Sequence, residues 1–104
     1  MQSHYPQRFQ RDMGCTEAEW LGWLPAALGE HRWQRKDAQV QVWFSADDAD
    51  QGRLTIRWHA EPPRTIALMA IPRLSVDFEF EGLDEAQRYR FMRRFDLYVQ
   101  RGGG

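Results

Sequence analysis

The sequence predicts an α+β domain, with a C-terminal helix packed across one face of an antiparallel sheet and a short kinked N-terminal helix beside it. Three observations carry this expectation. Arg73-Leu74-Ser75-Val76-Asp77-Phe78-Glu79-Phe80 alternates strictly between polar and apolar residues, the period of a half-buried strand. After Gly82 the period becomes helical, and from Asp84 to Arg101 the residues Phe91, Met92, Phe95, Tyr98 and Val99 fall on one stripe. Upstream, Thr16 and Glu19 have capping-box spacing, and Trp20, Leu21, Leu24 and Leu28 follow at helical intervals. A strand and a helix that each carry an apolar face, joined by a short turn, fold back so that the faces meet.

A chain of 104 residues with 42% hydrophobic content suits one core, so 1–104 is expected to be a single domain ending in a flexible tail at 102–104. Large rings supply the burial such a small core needs, since each Phe, Tyr or Trp can remove roughly 150–250 Å² from water. The lone cysteine, Cys15, excludes an internal disulfide, and no signal-peptide pattern opens the chain. No apolar run approaches the ~20 residues a membrane helix needs. A cytoplasmic setting without a membrane partner is the resulting expectation.

In chain order, the first 13 residues are mostly polar around Tyr5, Pro6 and Phe9 and suit a short edge strand. The Thr16 helix follows. Pro25 lies too deep for a first-turn position and removes a backbone hydrogen bond, which predicts a kink or two short helices, with Gly29 as the C-cap. Residues 30–38, around Trp33, read as either loop or strand. Three strands are then expected at Gln39–Ser45, Arg53–Ala60 and Arg64–Ile71. They are separated by the Asp-rich Ala46–Gly52 and by Glu61-Pro62-Pro63, with Pro72 bending the chain into the last strand. With the uncertain segments, the sheet has four to six strands arranged as a meander.

These turns fix an expected register, in which Phe44 opposes Leu54, Trp58 opposes Ile66 and Ala70 opposes Leu74. Even-numbered residues then line the inner face, including Ile66, Leu68 and Ala70. The odd-numbered face falls into rows: Trp43, Thr55, Met69 and Ser75; Gln41, Arg57, Ala67 and Asp77; Gln39, His59, Thr65 and Glu79.

A solvated sheet face is normally polar, yet Trp43, Ala67, Met69 and Ile71 add apolar area to this one. The expected cover is the N-terminal segment with Tyr5 and Phe9, a second copy of the chain, or a ligand. The first functional expectation is therefore a small binding or self-association module. Its contact residues are Trp43, Thr55, Arg57, His59, Met69 and Ile71, and its partner is a second copy, another protein or a small molecule. A second reading uses Arg90, Arg93, Arg94 and Arg101, on the helix face opposite the stripe, to bind nucleic acid or an acidic partner. A third is a small acid/base enzyme in which Asp77 or Glu79 orients His59. Cys15, just ahead of the Thr16 cap, is a further candidate because helix-terminal N–H groups can lower a thiol pKa. The histidines are scattered and no Gly-rich phosphate loop is present, so neither metal nor cofactor is expected.

Overall fold

A computed structural model of the chain describes residues 4–46 and 49–101. In order, the elements are β1 (Arg8–Met13), α1 (Glu17–Leu28), β2 (Arg32–Lys36), β3 (Gln39–Ala46), β4 (Ala49–Ile66), β5 (Met69–Glu81) and α2 (Glu85–Arg101). The strands form one antiparallel sheet in the order β1-β5-β4-β3-β2, so a four-strand meander is extended at its end by the first strand. Both helices lie on one face, which confirms the α+β class.

Local chemistry sets the helix ends. At α1 the Thr16 hydroxyl accepts from Glu19 N–H at 3.1 Å, and the Glu19 carboxylate accepts from Thr16 N–H at 2.9 Å. Asp84 and Gln87 make the same reciprocal pair at α2, both at 2.8 Å. Helix α1 closes on Gly29, whose φ of 66° lies in the left-handed region. It runs unbroken over Glu17–Leu28 with Pro25 inside, so the alternative of two short helices is not adopted.

The inner face carries the expected even-numbered side chains of the sheet body. Val40, Val42, Leu54, Ile56, Trp58, Leu74, Val76, Phe78 and Phe80 are all buried, together with Trp20, Leu24, Phe91, Met92, Phe95 and Val99 of the helices. Rings lock the layers: Phe78 meets Phe95 edge-on at 5.7 Å, and Trp20 meets Trp58 at 5.6 Å. On β1 the inner positions are odd, and Phe9 stacks on Phe78 at 4.7 Å.

Three expectations are corrected. Val42 rather than Phe44 opposes Leu54, because β3 extends to Ala46, β4 begins at Ala49, and the loop is shorter than Ala46–Gly52. The slip is two residues, so parity is preserved. Second, Glu61-Pro62-Pro63 is not a turn: β4 continues through it to Ile66, and the reversal comes at Ala67-Leu68. The expected strand Arg64–Ile71 is thus divided between β4 and β5. Third, Ile66, Leu68 and Ala70 are exposed rather than internal. Pro62 and Pro63 sit against the single Pro72 as a β-bulge, and the extra residue turns the far end of β4 over, so that Ile66 faces the odd-numbered side with Met69. The tail at 102–104 lies outside the described residues.

Candidate functional site

The outer sheet face is a lattice of cross-strand polar pairs. Its central row is Gln39, Arg57, Asp77 and Gln10; the next is Gln41, Thr55, Glu79 and Arg8. Arg57 donates to Gln39 Oε1 at 2.9 Å and lies 3.8 Å from Glu79. Arg8 reaches Glu79 at 3.3 Å, Arg53 reaches Glu81 at 2.9 Å, and Arg73 reaches Asp12 at 3.0 Å. Gln10 donates to the buried Ser75 hydroxyl. Solvent-facing pairs of this kind are each worth ~0–1 kcal/mol.

The residues expected to form one apolar row are dispersed. Trp43 is half-buried opposite Arg53, with the Arg32 guanidinium 4.7 Å above its ring, while Met69 lies at the far end of the sheet opposite Ile66. Thr55 is buried between Gln41 and Glu79, and Ile71 is half-buried opposite Arg64. Tyr5 and Phe9 of the N-terminal segment do not cover this face, because they pack against the helical side.

For acid/base chemistry, His59 is set opposite Ser75, and its Nε2 meets Glu61 at 2.6 Å rather than Asp77 or Glu79. Beside it lies a concavity of about 610 Å³ lined by Lys36, Asp37, Gln39, Arg57, His59 and Asp77. It is an open trough, since all of these except Gln39 are exposed. Cys15 is buried, and desolvation followed by the nearby Glu19 charge raises its thiol pKa, the opposite of thiolate activation. Among the described residues, no group of three or more His, Cys, Asp or Glu is placed to hold a metal ion.

The arginine face is divided. Arg90 and Arg93 are exposed, but Arg94 donates to the Ala26 and Ala27 carbonyls at 3.2 and 3.0 Å and covers the Tyr98 ring at 4.5 Å. Arg101 ends α2. Next to Arg90 and Arg94 is a groove of about 300 Å³ floored by Phe44, Leu83 and Phe91. Here burial, then the Arg94 charge, lowers the pKa of His31. Arg88, one turn into the helix, donates to the Tyr5 and Leu83 carbonyls, both at 2.8 Å.

The feature that departs most from an ordinary surface is the far end of β4 and β5. Pairing with β3 ends at Arg57 and pairing with β1 ends at Leu74, so beyond those points the two strands pair only with each other. They form an arm on a molecule 53 Å long and 21 Å thick. At its tip Ile66 is 54% exposed, Met69 67% and Leu68 fully exposed, the three highest values for large hydrophobic residues among those described. Sequence reasoning placed Met69 and Ile71 in a binding surface but assigned Ile66 and Leu68 to the core. The turn that exposes them has no glycine: Ala67 itself holds a φ of 54°. No protein-family model matches the chain, and no curated protein matches it either.

Proposed function

We propose that this protein is a small binding module whose contact element is the tip of the β4–β5 arm. The observation that supports this reading is the clustering of Ile66, Leu68 and Met69, all strongly exposed, at the end of an arm whose residues from His59 to Arg73 take no part in the core. An apolar side chain held in water forgoes roughly 1.5–3 kcal/mol of burial energy, and a contiguous group of them marks a contact surface. The outer sheet face, by contrast, pairs Arg8, Arg53, Arg57 and Arg73 with its own carboxylates. Its Trp43 is already covered on one side by Arg32.

The test is a photo-crosslinking amino acid at position 68 in living cells, with the same group at the exposed outer-face residue Gln34 as control. Covalent adducts at 68 and not at 34 are expected. Equal labelling at both positions, or none at either, removes the tip as the contact element.

A further inference from the structure

We infer that the arm tip docks on the surface of an anionic phospholipid bilayer, seating Leu68, Met69 and Ile66 at the boundary between headgroups and acyl chains. The inference rests on the tip being the contact element, and it adds what the tip contacts. Charge is the first argument. No charged residue occurs from Thr65 to Ile71, and no acidic residue occurs between Glu61 and Asp77, whereas Arg64 and Arg73 flank the apolar run. Arg64 is exposed and has no carboxylate partner among the described residues.

Depth is the second. Ile66 pairs with Met69 at the tip, and Arg64 pairs with Ile71 two residues further back. At about 3.3 Å per residue, this sets the guanidinium stem roughly 7 Å behind the apolar end. Interfacial elements bury their apolar parts ~5–10 Å deep, so Arg64 comes level with the phosphates as the tip enters the acyl boundary. A two-residue turn also suits this position, because the Ile66–Met69 pair satisfies the backbone up to the turn itself. Such a tip enters one leaflet and spans nothing.

A second copy of the chain fits less well. Three large side chains fall short of the ~800 Å² per partner that a stable dimer buries. The apolar groove at Phe44, Leu83 and Phe91 is rimmed by Arg90 and Arg94, so a tip inserted there would bring Arg64 against like charge. Pairing through the arm's edges is hindered by Pro62, Pro63 and Pro72, each of which lacks a backbone donor.

Flotation with phosphatidylcholine vesicles, with and without phosphatidylglycerol, tests the inference on the full chain. The protein should float with the anionic vesicles and release at high salt. Leu68→Ser should weaken this partition on the order of tenfold, and Arg64→Gln by about fivefold on anionic vesicles only. Leu68 is fully exposed, so circular dichroism of Leu68→Ser should match the unmodified chain. No flotation with either vesicle, while crosslinks at position 68 persist, overturns the lipid assignment and leaves the tip as a contact element for protein. Flotation that Leu68→Ser does not weaken also overturns it. A lipid-free dimer that Leu68→Ser dissociates assigns the tip to a second copy instead. Neither flotation nor crosslinks removes both readings.

Discussion

The Tyr5 hydroxyl donates to Asp96 Oδ2 at 2.6 Å, joining the fifth residue of the chain to the inner side of its last helix. Arg11 closes the group by donating to both Asp96 oxygens, at 2.6 and 2.8 Å, while its guanidinium lies 5.5 Å from the Phe9 ring and 5.4 Å from Phe78. Asp96 is the acid among five arginines in the last 18 residues, and it is buried because it falls beside Met92, Phe95 and Val99 on the core stripe. Tyr98, expected on that stripe, sits at its exposed margin.

Replacing Asp96 with Ala takes away both hydrogen bonds between the carboxylate and Arg11, together with the acceptor of Tyr5. Removing one side of a buried ion pair costs about 3–5 kcal/mol, and urea denaturation should report a loss of that size. A loss under about 1 kcal/mol would show that Asp96 does not hold this group together.

The same contact predicts an alkaline limit. Burial first, then the hydrogen bond to Asp96, pushes the Tyr5 pKa from 10.0 up to about 12. The folded state therefore holds the phenol proton more tightly than the unfolded state. Its contribution to stability is complete below pH 10 and is lost as pH rises toward 12. Absorbance titration should show one tyrosine ionising late, and Tyr5→Phe should remove that late step and flatten the decline in stability.

Phe78 touches β1 through Phe9 and α2 through Phe95 and is 1% exposed, so Phe78→Ala deletes the ring on which three elements converge. The expected cost is about 3–5 kcal/mol by chemical denaturation. A value below about 1 kcal/mol would contradict the packing.

The arginines of α2 should separate into two classes. Helix α1 has no basic residue in its last turn, and Arg94 supplies a cation to its terminal carbonyls from the neighbouring helix. Arg94→Ala should cost about 1 kcal/mol, whereas Arg90→Ala and Arg93→Ala should each stay within about 0.5 kcal/mol. If Arg90 and Arg93 served nucleic acid, the unmodified protein would bind DNA or RNA at low salt and the double variant would not; absence of binding by the unmodified chain ends that reading.

The α+β class, both helix starts and the inner face of the sheet body were legible because they follow from periodicity and capping, which are local. Leu54 and Ile56 were placed correctly even though their partners were displaced, since a slip of two residues leaves every side chain on its face. The arm was not legible for the converse reason. Its prolines carry the strongest turn signal in the sequence and occupy a bulge, while Ala67-Leu68 turns the chain without glycine, asparagine or proline. One extra residue then reversed the assignment of Ile66. Asp96 was hidden differently: helical spacing put it beside the core stripe, but its partners Tyr5 and Arg11 come from the opposite end of the chain.

The pairing of β1 with β5 has a consequence for the order of assembly. Arg8 and Glu79 are 71 positions apart, and Tyr5 and Asp96 are 91 apart. The β4–β5 hairpin can zip from its own turn, but β1 has no strand to join until β5 has been made, and Tyr5 has no acceptor until α2 has formed. During synthesis β1 is therefore made well before the strand and helix it docks on, and Tyr5 and Phe9 stay without their partners until β5 and α2 have been made. A nascent chain halted before residue 96 would present these two rings as a handle for chaperones, and release of the finished α2 would withdraw it.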